Sequence, residues 1–130
     1  LETSTCVTRE LHIHGYHKNA KKFGSLAVYG SDAPKLRDLF RENKKFEEPL
    51  HPKLAFQAGE VVWAARYEMA RTVEDFLARR TRALFLDARA SMEMAPKVAD
   101  LMAVELDKKR TWKKSQVKQY QELAQGYLVS

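Results

Sequence analysis

Three histidines stand close together at His12, His14 and His17. Imidazole nitrogens bind zinc and copper, so His-x-His-x-x-His is the first pattern in the chain with a chemistry of its own. Helical metal sites place their histidines one turn apart, and this spacing does not. No fourth donor lies nearby either. A polar connector is the better reading, and no metal ligand is assigned.

A second concentration is cationic. Arg79-Arg80-Thr81-Arg82 follows Arg66 and Arg71, and arginine forks suit phosphates and carboxylates. Glu60, Glu68, Glu74, Asp75 and Asp87 share the same stretch. Opposite charges at helical spacing pair with one another before they bind a free anion. Crowding such pairs among apolar residues suits a surface covered by another domain, where charges must be matched to offset desolvation. The expectation is an interdomain or intersubunit surface built from Arg66, Glu68, Arg71, Glu74, Asp75, Arg79, Arg80 and Arg82.

The third concentration is Lys108, Lys109, Arg110, Lys113, Lys114 and Lys118, with Trp112 and Tyr120 among them. Cations with aromatics can bind nucleic acid. Trp112 and Tyr120, however, fall on a core-facing stripe and the lysines on the other face, which describes a solvated amphipathic helix. Covalent chemistry has no support: Cys6 has no evident base, and there is no Gly-x-Ser-x-Gly elbow. Neither Gly-x-Gly-x-x-Gly nor Gly-Lys-Ser/Thr occurs, so nothing cradles a dinucleotide or nucleotide phosphate. No catalytic, cofactor-binding or metal residue is assigned.

These residues sit in 130 positions, the size of one domain with its own core. Hydrophobic residues make up 45% and charged residues 31%, which excludes a disordered tail and a membrane-embedded chain. The formal net charge is +6, with both signs interleaved along most of the chain, so most of the excess is a solvated face. One cysteine excludes an intrachain disulfide and a zinc site built on several cysteines, and fits a reducing compartment. No apolar run approaches the roughly 20 residues that span a bilayer. Leu-Glu-Thr-Ser-Thr is not a signal peptide and reads as a cut inside a longer protein.

The elements that must position these groups are mostly helical. Apolar Val7, Leu11 and Ile13 alternate with polar residues, giving an extended stretch over 5–14. Asn19 and Gly30 suit the two ends of a short helix over 20–29. Ser31 or Asp32 starts the next helix, with Pro34 in its first turn and Leu36, Leu39 and Phe40 as its apolar stripe. Residues 43–53, with Pro49 and Pro52, are expected to be a mobile loop. Val61, Val62, Ala65 and Met69 trace one helical face. Thr72 and Asp75 form a capping box, so a break is expected near Arg71, and the helix that follows buries Val73, Phe76 and Leu77. Leu84, Phe85 and Leu86 continue the apolar content. Asp87 caps another helix, which Pro96 should interrupt; a further one runs to about 108. Trp112, Gln116, Tyr120, Leu123, Ala124 and Tyr127 line the last. The fold class is therefore all-α: a compact bundle of about six helices with a short extended N-terminal stretch, forming a single domain over 1–130.

The run Glu60–Ala90, and Glu68–Arg82 most specifically, resembles the C-terminal domain of FAD-dependent glycerol-3-phosphate dehydrogenases. Supporting matches are His14-Gly15, Tyr29-Gly30, Leu50-His51-Pro52, the turn from Ala95-Pro96 to Val98-Ala99, and Trp112, Gln116, Tyr120 and Tyr127. They cover nearly the whole chain. The resemblance implies a helical cap on a larger flavoenzyme whose glycine-rich flavin motif lies upstream. The parent would oxidise glycerol 3-phosphate to dihydroxyacetone phosphate through FAD, passing electrons to a quinone or, in some relatives, to oxygen. The fragment would be inactive and hold no cofactor. Its partner would be the N-terminal FAD and substrate domain. The parent would be cytoplasmic, peripheral on the inner face of the cytoplasmic membrane, with a homo-oligomer left open and nucleic acid not expected. One departure stands out: Leu106-Asp107 precedes Lys108-Lys109-Arg110 where relatives often have Leu-Gly and a more acidic stretch. The reading from another class is a basic helical module binding nucleic acid or anionic membrane.

Overall fold

The computed structural model describes residues 12–129. Most of the expected extended stretch, residues 5–11, lies outside them; His12 and Ile13 are irregular and lead into a turn at His14-Gly15. The chain is mostly helical, and its contacts divide it into a unit that ends at Arg37 and another that begins at Asp38.

In the first unit the expected helix over 20–29 is instead a run of 3₁₀ turns, Ala20–Asp32, broken at Gly24 and Gly30. Asn19 makes no side-chain cap. Both glycines have positive φ, which interrupts helical hydrogen bonding and which a side chain would resist. Gly30 is fixed further by space: a Cβ there would lie 1.7 Å from the Gly15 carbonyl oxygen, which accepts from Ser31 N–H at 3.0 Å. Helix α1, Ala33–Glu42, then starts as expected, with Pro34 in the first turn, where no N–H partner is lost. Leu36, Leu39 and Phe40 are all buried.

The loop expected over 43–53 is more ordered in plan. A 3₁₀ turn, Lys44–Glu47, leads into a hairpin of β1, Pro49–His51, and β2, Leu54–Gln57, whose register is irregular between Pro49 and His51. A pair this short is not stable alone. Here it is tied to helix α4, Ala88–Glu105: Leu50 enters the core, the His51 ring bonds Glu93 at 2.6 Å, and Lys97 reaches the Pro49 carbonyl at 3.2 Å. The strands went unread because three and four residues are too short to show a two-residue period, and Pro49 and Pro52 mark the stretch as a loop.

Helix α2, Ala58–Tyr67, begins where Glu60 accepts from Gln57 N–H at 2.7 Å. Residues 58–65 are buried on every side, so the helix has no solvent face over that length. Gly59 permits this: a Cβ there would fall 2.1 Å from the Phe40 ring. Val61, Val62 and Ala65 are buried as expected, but Met69 is not on their face. It lies beyond the helix end with φ 59° and is 77% exposed.

The break near Arg71 is present, and so is the capping box. Asp75 N–H donates to the Thr72 hydroxyl and Thr72 N–H to the Asp75 carboxylate, each at 3.1 Å. The following turn, Asp75–Arg80, is wider than α: a π-helix, which brings Phe76, Leu77 and Ala78 inward together. After the four-residue α3, Ala83–Leu86, only part of the expected apolar run is buried. Leu84 is inside, while Phe85 and Leu86 are 55% and 66% exposed.

Asp87 caps α4 as expected, accepting from Ala90 N–H at 2.9 Å. Pro96 does not interrupt it; the helix continues to Glu105. Proline costs one backbone bond and some crowding, about 3 kcal/mol. Met94, Ala95, Val98, Ala99 and Met102 flank it and are fully buried, so burial on both sides holds the helix through the defect. Its end is a left-handed Asp107, φ 52°, with Lys108 N–H reaching back to the Ala103 carbonyl at 2.8 Å. Helix α5, Arg110–Gln125, packs on α4 through buried Tyr120, whose hydroxyl donates to Ser91 at 2.9 Å, and Ala124.

Candidate functional site

The residues expected to form a charged surface, 66 to 82, surround the junction of α2 and the π-turn. Arg66 forks onto Glu105, with Nε to Oε2 at 2.7 Å and Nη2 to Oε1 at 3.1 Å. Glu42 lies 3.6 Å from its other nitrogen. The Glu105 bonds hold the guanidinium above its ordinary pKa, against the opposing pull of burial. Arg71 donates to the carbonyls of Ala65 and Ala70 at 2.9 and 3.1 Å, and Arg80 donates to the Glu68 carbonyl. Both arginines thus satisfy backbone oxygens at the end of α2, where four carbonyls have no helical partner.

Asp75 is the centre of the group. Its carboxylate accepts from the backbone of Arg71 and Thr72 and from Arg79 Nη1 at 2.5 Å. Burial pushes its pKa up, but the bonds from Arg71, Thr72 and Arg79 together outweigh burial and leave it below its ordinary value. Arg79 also reaches Glu74 at 3.2 Å. Val73 N–H, the next donor at the head of the π-turn, bonds the Gln116 side chain of α5 at 3.1 Å. Arg82 has φ 57° and sets its guanidinium over the Phe85 ring at 5.6 Å.

All eight residues thereby make contacts within this chain: Arg66, Arg71, Glu74, Asp75 and Arg79 through charged or backbone partners, Arg80 with Glu68, and Arg82 with Phe85. What they leave facing outward is a shallow depression of about 330 Å³ lined by Met69, Asp75, Arg79 and Arg80. Exposed Tyr67 lies just before it in sequence. Phe85 and Leu86 border a second depression of about 420 Å³, into which Tyr127 also faces, edge-on to Phe85. Sequence reading missed the exposure of Met69, Phe85 and Leu86 and assigned Tyr67 to no face. Periodicity put Met69 on the apolar face of α2, Phe85 and Leu86 counted as apolar by type, and nothing local marks where α2 stops.

The histidines do not converge. His12 stacks on Tyr16, His14 bonds Asp32 at 2.9 Å, and the His17 ring accepts from Asn19 N–H at 3.0 Å. Among the described residues no group of three histidine, cysteine, aspartate or glutamate side chains could share a metal. Gly59, in the first turn of α2, is covered by Phe40 and Phe46, and Gly30 is pressed on the Gly15 carbonyl, so neither offers a pyrophosphate an open backbone.

The lysine-rich segment folds as expected in one respect: Tyr120 is buried, Trp112 packs against the core, and the cations face out. They do so into a groove of about 430 Å³ between α4 and α5, lined by Pro96, Asp100 and Val117 together with Arg110, Lys113, Lys114 and Lys118. Lys113 pairs with Asp100 at 2.8 Å. No described helix is long and apolar enough to cross a membrane.

Comparison with known proteins supplies the context. The family model for the C-terminal domain of alpha-glycerophosphate oxidase matches residues 6–117. The mitochondrial glycerol-3-phosphate dehydrogenase SDP6 of Arabidopsis thaliana is 34% identical over an alignment covering 97% of this chain and 24% of that protein. The mitochondrial glycerol-3-phosphate dehydrogenases of Schizosaccharomyces pombe and Saccharomyces cerevisiae are 42% and 40% identical, over 46% and 44% of this chain and 8% and 9% of theirs. The chain thus spans about a quarter or less of the length of these relatives. No solved structure matches it.

Proposed function

The chain belongs to the family of the C-terminal domain of alpha-glycerophosphate oxidase, and on that premise we propose that it is the non-catalytic cap of a flavoenzyme that oxidises glycerol 3-phosphate. The observation that carries this reading is the match over nearly the whole chain to about a quarter of a named glycerol-3-phosphate dehydrogenase. In the parent, FAD would be held by the upstream part, which would convert glycerol 3-phosphate to dihydroxyacetone phosphate and hand the electrons to a quinone. The parent would sit peripherally on a membrane, at the inner face of a cytoplasmic membrane or in the mitochondrial setting that the relatives' names carry.

The surface that meets the catalytic part is proposed to be the one around Arg66, Glu68, Arg71, Glu74, Asp75, Arg79, Arg80 and Arg82. Three features support it. Its charges are already matched within the chain, so covering them costs less desolvation than covering free ones. Exposed Tyr67 and Met69 supply apolar area beside them. Met69 also carries left-handed backbone strain, which structures retain where something beyond local packing requires it.

The test uses the 130-residue chain and the full-length parent. The purified chain is expected to be colourless and to lack glycerol 3-phosphate oxidation; a flavin absorption band that survives gel filtration overturns the reading. In the parent, Met69→Asp or Arg80→Ala is expected to loosen the domain, seen as faster limited proteolysis, with the chemical step in single-turnover flavin reduction unchanged. Abolished flavin reduction at normal protease resistance would move these residues from a docking surface into the chemistry.

A further inference from the structure

The groove between α4 and α5 is not accounted for by that reading. Arg110, Lys114 and Lys118 stand at i, i+4 and i+8 on α5, which sets their Cα atoms in a row about 6 Å apart. Like charges at this spacing repel. The fold relieves one neighbour, Lys113, with Asp100, but the three in the row have no ion-pair partner among the described residues. Between them and α4 lies an apolar floor made by Val117 and by Pro96, at the position where α4 has lost a backbone donor. The groove therefore presents a periodic line of cations along the edge of a trough with Pro96 and Val117 on its floor.

Four occupants would answer that description in part. A second copy would set the same cation row against itself on a chain of net charge +6, and repulsion rejects it. A membrane surface calls for large apolar side chains beside the cations to enter the lipid, but Trp112 and Tyr120 of α5 are turned into the core, and the exposed Leu123 does not line the groove. A single-stranded nucleic acid calls for aromatic faces on which bases stack, and among the described residues no aromatic one lines the groove. An acidic amphipathic helix meets every term. Carboxylates at i, i+4 and i+8 repeat the same spacing of about 6 Å, and the apolar residues between them face the trough.

We propose that the α4–α5 groove docks an acidic amphipathic helix of a protein partner, with Arg110, Lys114 and Lys118 reading its carboxylate row and Pro96 and Val117 seating its apolar edge. The surface is separate from the one assigned above to the catalytic part, so either assignment can fail alone.

The test titrates the 130-residue chain into a fluorescein-labelled, helix-stabilised peptide with glutamates at i, i+4 and i+8 and leucines between them, read by anisotropy at low salt. Saturable one-to-one binding is expected. Lys114→Glu should weaken it by roughly tenfold or more, the scale of one reversed close charge contact. Val117→Ser, which changes no charge, should weaken it several-fold, and circular dichroism should be unchanged for both variants. A peptide of the same composition with its glutamates scattered around the helix should bind at least roughly tenfold more weakly. Equal binding of the scattered peptide, insensitivity to Lys114→Glu, or tighter binding to oligo-dT or to phosphatidylglycerol vesicles than to the ordered peptide would overturn the proposal.

Discussion

Arginines around the end of α2 and the cations of α5 carry the same charge at comparable density, yet the fold spends them in opposite ways. Arg66, Arg71, Arg79 and Arg80 all end on an acceptor of this chain: the carboxylates of Glu105, Glu74 and Asp75 and the carbonyls of Ala65, Ala70 and Glu68. Arg110, Lys114 and Lys118 end on none among the described residues. The difference follows from the neighbours. The α2 end has orphan carbonyls and a π-turn to close, whereas the groove runs beside α4, which continues past Pro96 and offers no helix end there. Charge density alone therefore does not mark a binding surface. What separates a structural cation from an available one is whether a backbone end or a fixed carboxylate lies within its reach.

The comparison can be broken most forcefully in the hydrophobic support of each region. Phe76→Ala, in the π-turn, is expected to cost about 3–5 kcal/mol of unfolding free energy, because the ring is fully buried in the core. Val117→Ala on the partly buried floor of the groove should cost about 1 kcal/mol or less. Urea denaturation of both variants measures the contrast; equal losses would mean that the two regions share one level of support.

The capping carboxylate comes next. Asp75→Ala removes acceptors for Arg71 N–H, Thr72 N–H and Arg79 together and is expected to cost about 1–2 kcal/mol, the range of a lost N-terminal cap. Its pH signature has a definite sign. The carboxyl is held below its ordinary value in the folded chain, so its contribution is present above the unfolded pKa, about 3.9, and fades as pH falls through the lower folded value. Stability measured from neutral pH down to about 3 should fall less steeply in Asp75→Ala than in the parent sequence. Parallel curves would remove Asp75 from the centre of the arginine set.

The smallest effect sits between the two regions, at the end of α4. Asp107 adopts a left-handed conformation at the position where a glycine is favoured after a helix. Asp107→Gly should therefore stabilise by about 0.5–1 kcal/mol, seen as a raised denaturation midpoint. Destabilisation would show that the Asp107 side chain does something that its backbone position does not explain.

Much of this was legible in the chain. Leu36, Leu39 and Phe40 are the buried stripe that their spacing announces, and Thr72 with Asp75 and Asp87 with Ala90 make the caps their residue types predict. These are interactions across three or four residues, which sequence order places directly. The expectations that failed depended on distant groups. Pro96 stays helical because Met94, Ala95, Val98 and Ala99 are buried around it. Met69, Phe85 and Leu86 are apolar by type but lie where the chain turns away from the core. The hairpin of residues 49–57 exists because α4 receives Leu50 and His51.

The sequence by itself determined the family of the chain, its mostly helical character and the local signals that start and stop its helices, because these reside in residue types and short spacings. Only the tertiary structure decided which cations are consumed and which remain. Arg66 meets Glu105 across 39 positions, Val73 meets Gln116 across 43, and Tyr120 meets Ser91 across 29. No periodicity encodes such meetings; packing makes them, by bringing α2 and the π-turn against α4 and α5.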